Sequence, residues 1–347
     1  MDAARNDNGE NSRPQSRGPA RVLVRRVMLT VGSTLLALLA CEGLLRAIGY
    51  SYTPLHIVNA YAARNDRRQY HSFEDKHFRS DPLAFWRPRE GYPPFNAQGF
   101  RGEELPREKG PDEFRIFALG DSNTLGWQDG PDGPGSHWPR FIRELLPASG
   151  RKYTVINAGV WGYSSYQGRE RLRHVLPYKP DLVLISFGGN DPHRVLISDI
   201  EQARQRPSSL WMQARMSQMT WAIWERCSLA RRPSSDEDLV FRVDLEHYRA
   251  NLGEMVCEVR RTGAACVLLT RPFLGTSADP ACWKTYGPQY VTATLETAQT
   301  NHVPAIDLYA RFKDQRQYFA DDGHFNEEGH RLAAKVIYDE IRPLLPR

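Results

Sequence analysis

The sequence lacks the short motifs that mark several common enzyme classes. It contains neither Gly-x-Gly-x-x-Gly nor the P-loop pattern, so a nucleotide cofactor is not indicated. It contains no Gly-x-Ser-x-Gly pattern, which leaves the α/β-hydrolase fold unsupported. Cysteine is scarce, with 5 among 347 residues, and no cysteine or histidine spacing is typical of a zinc site. We therefore expect a protein that works without a cofactor and without a metal.

An excess of one charge is also missing. The formal net charge is only +5, and no basic run is interleaved with aromatic residues, so we expect no nucleic-acid partner. The apolar share of 41% and the charged share of 25% are ordinary for a globular protein. The length suffices for one sizeable α/β domain with appendages.

The longest apolar run lies near the N-terminus, between residues 27 and 41. Residues 1–20 are polar, and their composition predicts a disordered cytoplasmic tail. The residues that precede the run are basic, namely Arg21, Arg25 and Arg26. Because positive charge stays on the cytoplasmic side, residues 21–49 predict a transmembrane anchor with the following domain in the periplasm or outside.

Two other fates of this segment stay open. Its strictly apolar part is short for a full span, so a cleaved signal peptide is an alternative. Leu38-Leu39-Ala40-Cys41 resembles the lipobox of bacterial lipoproteins, although Leu39 is not the usual small residue, so lipidation at Cys41 is another. Glu42 and Arg46 are four residues apart and can pair on one helix face near the interface. The other four cysteines allow three disulfide connectivities, and nothing selects one.

From residue 113 onward, short apolar runs alternate with helical patterns. The predicted strands are Phe114–Leu119, Tyr153–Asn157, Leu182–Phe187, Ala265–Thr270 and Ala305–Leu308. The predicted helices are Trp138–Leu146, Ser165–Leu176, Leu245–Thr262, Tyr290–Thr300 and Glu327–Leu345. This alternation predicts an α/β fold, with a five-stranded parallel sheet between two helical layers.

Two segments fall outside this alternation. Residues 50–112 are rich in proline and aromatic residues, too aromatic for a flexible linker, and predict an irregular or hairpin-like pre-domain. Residues 192–242 form an insertion in the domain that spans residues 113–347. Its apolar residues recur on one helix face at Met212, Met216, Met219 and Ile223. We favour packing of this face on the domain, with a lid over the site as the alternative.

Four polar blocks follow in order along the domain. They are Gly120-Asp121-Ser122, Asn157-Ala158-Gly159, Gly188-Gly189-Asn190-Asp191 and Asp321-Asp322-Gly323-His324. The first three follow predicted strands, and open α/β sheets carry their ligand sites at the carboxyl ends of strands. The four blocks resemble those of the SGNH (GDSL-type) hydrolase family, in its membrane-anchored bacterial form. The resemblance covers residue 114 to the C-terminus and implies a flavodoxin-like strand order, 2-1-3-4-5.

A serine hydroxyl needs a base to become a nucleophile. His324 is the candidate base for Ser122, because imidazole titrates near neutral pH. Asp321 lies three residues before His324, a spacing that lets its carboxylate orient the ring and stabilise the imidazolium. Asp322 is the second choice for this role on spacing.

The family resemblance also implies three donors for the oxyanion formed during attack. They map onto the backbone N–H of Ser122, the backbone N–H of Gly159 and the side-chain amide of Asn190. The neighbouring Asp121 and Asp191 are interpreted as hydrogen-bond partners of the local backbone.

The leading hypothesis is a membrane-anchored serine esterase. It would hydrolyse an ester or O-acetyl ester of a small molecule, lipid or glycan outside the cytoplasmic membrane. An O-acyltransferase that modifies an envelope glycan with the same triad is one alternative. A non-catalytic envelope-binding protein is another.

Overall fold

A computed structural model describes residues 19–50, 55–57, 70–72, 77–81, 83–126, 135–148, 150–195, 197–205, 210–229, 239–279 and 282–346. The predicted cytoplasmic tail lies almost wholly outside these residues. The chain divides into two compact units. The smaller unit comprises Met1–Tyr52 and Leu210–Trp221, and the larger unit comprises Thr53–Ser209 and Ala222–Arg347.

The regular elements are named here in chain order. The strands are β1 Leu55–Ile57, β2 Tyr70–Ser72, β3 Phe78–Asp81, β4 Phe85–Pro88, β5 Glu113–Gly120, β6 Lys152–Asn157, β7 Leu182–Ser186, β8 Arg194–Val195, β9 Val240–Phe241, β10 Ala265–Leu269 and β11 Ala305–Ile306. The α-helices are α1 Pro19–Ala47, α2 Ser122–Leu125, α3 Trp138–Leu145, α4 Ser165–Val175, α5 Asp199–Arg204, α6 Arg215–Leu229, α7 Leu245–Arg261, α8 Trp283–Thr300, α9 Leu308–Phe312 and α10 Glu327–Ile341.

A five-stranded parallel sheet forms the centre of the larger unit. Its strand order is β6-β5-β7-β10-β11, which is 2-1-3-4-5 in order of occurrence. Ile116 of β5 lies opposite Val155 on one side and Leu182 on the other. The predicted flavodoxin-like order is confirmed, and the Gly-Asp-Ser turn follows the central part of the sheet, where β5 meets β7.

Alternate residues of β5 supply two separate cores, one on each face of the sheet. Ile116 and Ala118 belong to the core that includes Trp138 of α3 and Ile337 of α10. Phe117 joins the opposite core with residues of α4 and α7. Because strands covered on both faces are apolar throughout, β5 and β7 read as continuous hydrophobic runs. Each large apolar side chain buried in this way contributes about 1.5–3 kcal/mol.

Two helix boundaries differ from the prediction. Helix α8 begins at Trp283, seven residues before the predicted Tyr290, and contains Pro288. A Cβ at Gly287 would lie 2.5 Å from the Phe273 ring, so this glycine within the helix is a packing contact. Helix α10 ends at Ile341 and continues as a 3₁₀ turn. The proline at position 343 lacks the N–H that an α-helical bond requires.

The segment before the sheet contributes to the core of the larger unit. Strands β3 and β4 pair as an antiparallel hairpin. Trp86 of β4 is fully buried, and its indole N–H donates to the backbone oxygen of Trp161 at 3.0 Å. Phe78 and Phe100 belong to the same core as Phe117. The aromatic residues here therefore pack against the sheet domain.

The insertion begins and ends at a short antiparallel pair, β8 with β9. The predicted helix face is wrong at its first member, because Met212 lies in a 3₁₀ turn, residues 211–213, and α6 starts at Arg215. Ala214 between them has an extended backbone, with ψ of 132°, which interrupts the helix. The polar residues 231–238 lie outside the described part.

Helix α1 is long and apolar. Its stretch Arg21–Ala47 has a mean hydropathy of 1.8 and is the one helix, among the residues described, that could cross a membrane by length and composition. A signal sequence passes the same test. The expected pair between Glu42 and Arg46 is present, with Nε and Oε1 2.7 Å apart. All five cysteines are free, and Cys41 is exposed.

Candidate active site

The nucleophile turn follows directly from β5. Ser122 is the first residue of α2, and Asp121 caps that helix by accepting the N–H of Asn123 at 2.9 Å. Gly120 allows the turn, because a Cβ there would lie 2.7 Å from the backbone oxygen of Ser186. The side chain of Ser122 is thereby held at the carboxyl end of the sheet, almost fully buried.

Ser122, His324 and Asp321 form one hydrogen-bonded chain. The Ser122 Oγ lies 2.8 Å from His324 Nε2. The other ring nitrogen, Nδ1, lies 2.8 Å from Asp321 Oδ2 and 3.0 Å from Oδ1. The loop is tied to α2 by the N–H of Phe325, which donates to Asn123 Oδ1 at 3.0 Å. This arrangement can carry a proton from the serine to the histidine while the carboxylate stabilises the imidazolium.

The two neighbouring aspartates have different partners. Partial burial raises the pKa of Asp321, but the hydrogen bonds and the charge of His324 outweigh this effect and hold the pKa well below its usual range. Asp322 turns away and pairs with Lys284 at 2.6 Å and Arg316 at 3.4 Å. The structure therefore places Asp321, and not Asp322, beside His324.

The loop after β7 brings Asn190 to the cavity that opens at Ser122. The Asn190 Nδ2 donates to the backbone oxygen of Tyr163 at 3.0 Å, which uses one of its two protons. Asp191 accepts the N–H of Ser165 at 2.8 Å and that of Gly188 at 3.1 Å. Burial raises the pKa of Asp191 to about 6, although its hydrogen bonds with Ser165 act to lower the pKa. Asp191 thus bonds to backbone, as expected from its position.

The two glycines of the loop after β6 differ in position. The N–H of Gly159 donates to Asn157 Oδ1 at 2.9 Å, and a Cβ there would lie 2.5 Å from the backbone N of Leu125. Gly159 is thus a close-packing position, and its role as an oxyanion donor stays a prediction. Gly162 was not among the site residues predicted from sequence. It lines the cavity with Ser122 and Asn190 and has a positive φ of 70°.

A cavity of about 550 Å³ opens at the serine. Two indole rings line it, from Trp161 and Trp283. His193 also lines it and stacks on Trp283 with the rings 23° from parallel. Burial lowers the pKa of His193 to about 3, so this ring is neutral near pH 7. Large aromatic walls beside a polar site are typical of small-molecule pockets.

Arg271, just after β10, is a further residue that the sequence analysis missed. Its Nε donates to both carboxylate oxygens of Asp121, at 2.8 and 3.1 Å, and the pair is almost fully buried. Its Nη1 donates to the backbone oxygen of Gly323 at 2.5 Å. Arg271 therefore joins the turn that carries Ser122 to the loop that carries His324. No motif marked it, because its partners lie 150 and 52 residues away in the chain.

The described residues contain no group of three or more side chains that could hold a metal ion. The serine, the histidine and the cavity alone can support acyl transfer, in which a serine attacks a carbonyl and a histidine moves the proton. A Gly-Asp-Ser turn after β5 of a five-stranded parallel sheet, with a histidine at its serine, fits an α/β enzyme that hydrolyses esters. The chain belongs to the GDSL-like lipase/acylhydrolase family, whose model matches residues 118–332.

Individual relatives were found in sequence and in structure. An arylesterase of Vibrio mimicus is 33% identical over 94 residues, which are 25% of this chain and 46% of that protein. The chain thus matches about half the length of this curated relative. The lipase/acylhydrolase of Enterococcus faecalis has a TM-score of 0.47 at 25% identity, covering 67% of this chain and 97% of its own. A catalytic mutant of an acetylxylan esterase from Geobacillus stearothermophilus has a TM-score of 0.45 at 21% identity, covering 68% and 96%.

Proposed function

We propose that this protein is a membrane-anchored serine esterase that uses Ser122 as the nucleophile, His324 as the general base and Asp321 as the orienting carboxylate. The observation that carries the proposal is the continuous hydrogen-bonded chain from Ser122 Oγ through His324 to Asp321, open to a cavity. The reaction would cleave an ester or O-acetyl ester outside the cytoplasmic membrane.

In the first step, Ser122 Oγ attacks the ester carbonyl and His324 Nε2 takes its proton. The tetrahedral intermediate collapses to an acyl-serine, and His324 returns the proton to the leaving alcohol. Water then attacks the acyl-serine by the same route and releases the acid. The imidazolium is positively charged, and the carboxylate of Asp321 stabilises it. Contacts with His324 keep this carboxylate ionised.

The oxyanion needs donors already aimed at it. Ser122 and Asn190 both line the cavity, and the backbone N–H of Ser122 and the second proton of Asn190 Nδ2 are proposed for this task. Gly159 is the third donor that the family resemblance implies. The geometry favours the neighbouring Gly162 in its place, because Gly162 lines the cavity while the N–H of Gly159 is directed at Asn157.

The residues that line the cavity indicate which kind of substrate it would hold. The indole rings of Trp161 and Trp283 provide apolar faces, and Arg316 and Asp322 provide charges at the rim. Such a mixture suits a ring-bearing alcohol esterified with a small acyl group. The arylesterase of Vibrio mimicus is consistent with ester chemistry of this kind.

The anchor is proposed to be helix α1, with its N-terminal arginines in the cytoplasm and the larger unit outside. The length and apolarity of Arg21–Ala47 support this, together with the basic residues at its start.

The proposal is tested by Ser122→Ala in the full-length protein with p-nitrophenyl acetate and acetylated oligosaccharides as substrates. The loss in kcat should be on the order of 10⁶-fold, because the covalent route is removed. His324→Ala should cost a similar factor. Turnover near the wild-type rate in folded Ser122→Ala protein would refute Ser122 as the nucleophile. No turnover of any of these esters by the folded wild-type protein would favour a binding protein.

A further inference from the structure

Two charged side chains interrupt the apolar helix α1, and both contact the start of α6 within the smaller unit. Glu42 accepts the backbone N–H of Arg215 at Oε1 and that of Met216 at Oε2, each at 3.0 Å. Arg46 donates to Glu42 and also, through Nη2, to the backbone oxygen of Gln213 at 3.2 Å. The pair is therefore more than a local contact between helix neighbours, because it holds a segment from the middle of the chain.

This contact satisfies polar groups on both sides. The first N–H groups of an α-helix have no partner within the helix, and Glu42 accepts two of them at the start of α6. On α1 the described side chains are exposed except for Glu42 and Leu45, which are half-buried on the same face. The segment before α6 thus covers one small face of α1, close to its C-terminal end.

The position of Glu42 along α1 sets its depth in a bilayer. Glu42 lies 16 residues after Arg26, which is about 24 Å of helix. The hydrocarbon core of a bilayer is about 30 Å thick. With the N-terminal arginines at the cytoplasmic surface, Glu42 lies just inside the opposite edge of the hydrocarbon core. A carboxylate at that depth is costly unless it is paired, and the contacts with Arg46, Arg215 and Met216 pair it.

The contacting segment must lie at the same depth. Its irregular backbone is tolerated near the hydrocarbon edge because its polar groups are satisfied by α1. The residues that lead into it are apolar and exposed, with Leu210 at 74% and Trp211 at 43%. Tryptophan is enriched at membrane–water interfaces, where its ring lies among the headgroups.

We propose that residues 210–216 form an interfacial segment that inserts Leu210 and Trp211 among the phospholipid headgroups of the outer face of the membrane that α1 spans. The occupant of this apolar surface is the phospholipid bilayer. The inference rests on the anchoring proposed above, and it also requires that α1 stays in the mature protein, because cleavage of a leader near residue 49 would remove Glu42.

The first test places the full-length protein in nanodiscs made with phosphatidylcholine or its dibrominated form, and measures tryptophan fluorescence. The wild-type protein should show a bromine-quenched component that is lost in Trp211→Phe. The matched control is Trp138→Phe, since Trp138 is buried in the core of the larger unit. That variant should keep the quenched component.

The second test examines the contact with Glu42 by limited trypsin cleavage after Arg215 in the same nanodiscs. Glu42→Ala should expose this bond and raise the cleavage rate, whereas Glu42→Gln, which keeps acceptor oxygen, should raise it less. Glu246→Ala, an exposed glutamate of α7, should leave the rate at the wild-type value.

Intact mass of the membrane-extracted protein separates the possible failures. A mature chain that starts at Cys41 or after residue 49 would overturn both the anchor and the interfacial segment. A chain that retains α1 but whose bromine quenching is unchanged in Trp211→Phe would overturn the interfacial segment alone. Esterase activity toward p-nitrophenyl acetate is read in parallel, so a failure of the catalytic proposal is seen separately.

Discussion

The two loops on either side of Ser122 are held in place in opposite ways. The base loop, residues 321–324, is closed by local hydrogen bonds, with Asp321 Oδ1 accepting the N–H groups of Gly323 and His324 at 2.7 Å each. Its side chains are partly exposed, at 61% for Asp321 and 28% for His324.

The loop that carries Asn190, residues 188–191, depends on buried and distant contacts. Asp191 is fully buried and accepts the N–H of Ser165, the first residue of α4. The residue before it, Ser164, bonds to Asp199, which forms a buried ion pair with Arg242 at 3.0 Å. Arg242 also donates to the backbone oxygen of Gly162 at 2.6 Å.

The difference follows from what each loop does in the proposed reaction. A base must accept and return a proton, so its loop needs contact with water and a carboxylate that stays ionised. An oxyanion site has to be fixed before the charge develops, so its loop gains from rigid, buried contacts. Changes in the base loop should therefore act on the chemical step alone, and changes around the Asn190 loop should act on both rate and stability.

The largest effect is expected from Asp321→Asn. Loss of the orienting carboxylate should lower kcat by about 10⁴-fold, because the histidine tautomer and the imidazolium are no longer stabilised. The matched control is Asp322→Asn, which removes exposed ion pairs worth about 0–1 kcal/mol and leaves the base in place. Steady-state kinetics of both variants measure the loss in kcat. Equal losses in the two variants would show that Asp321 has no special role.

Asn190→Ala should have the next largest effect on rate. Removal of an oxyanion donor costs about 10²–10³-fold in kcat, or about 2.7–4 kcal/mol, with a much smaller change in KM. Asn190→Asp should be slower still, since it places a carboxylate where negative charge develops. If activity per folded molecule is preserved while thermal stability falls, Asn190 only shapes the turn after β7.

Arg271→Lys tests the link between the two loops. Lysine keeps the charge beside Asp121 but cannot also reach the Gly323 oxygen with a second nitrogen, since it lacks the guanidinium fork. A shift of the base loop relative to Ser122 should lower kcat by up to about 10²-fold with KM little changed. Arg316→Lys, also at the cavity, is the control. A change in KM alone would instead assign Arg271 to substrate binding.

Stability should fall in mild acid because of two histidines, the buried His330 and the half-buried His193 at the cavity. Burial lowers the pKa of His193 and of His330 to about 3 in the folded protein. In the unfolded chain they bind protons from about pH 6.5 downward. The unfolded state therefore binds more protons between pH 6.5 and 3, and the free energy of unfolding decreases as pH falls through this window. Asp191, whose pKa is raised to about 6, acts in the opposite sense between about pH 4 and 6 and offsets one histidine.

The smallest effect is the contribution of a single histidine to this slope. His330→Asn should reduce the dependence of unfolding free energy on pH by about 1.4 kcal/mol per pH unit below pH 6. His247→Asn, at an exposed position, serves as the control. Denaturant unfolding at pH 5 and pH 7.5 measures both. An unchanged slope in His330→Asn would mean that this histidine is protonated alike in the folded and unfolded states.

The sequence was sufficient for the sheet and for the base side of the site. Short apolar runs predicted the five strands, because both faces of the sheet are covered. Their order was implied by the family resemblance, and the sheet has that order. The pairing of Asp321 with His324 was predictable because three residues of spacing place them on one loop. Asp322 could be ranked second on the same ground, and the structure shows it beside Lys284.

The other features depend on contacts that spacing does not reveal. Arg271 and Arg242 reach partners on distant elements, and arginines at such positions look like surface charge in the sequence. Gly159 and Gly162 are both plausible turn residues, and only the packing against Leu125 and Trp86 separates them. Glu42 also accepts the backbone N–H of Arg215, which lies 173 residues away in the chain. Only its pair with Arg46, four residues away, was predictable from spacing.

The most direct test of the central claim is covalent labelling of the full-length protein with a fluorophosphonate, followed by peptide mapping. The reagent reacts with a serine only when a neighbouring base has activated it. We expect a single adduct on Ser122 in the wild-type protein and nearly no adduct in His324→Ala. The reaction should be strongly slowed in Asp321→Asn but not in Asp322→Asn. Labelling of another serine, or labelling of Ser122 at the wild-type rate in His324→Ala, would contradict the central claim.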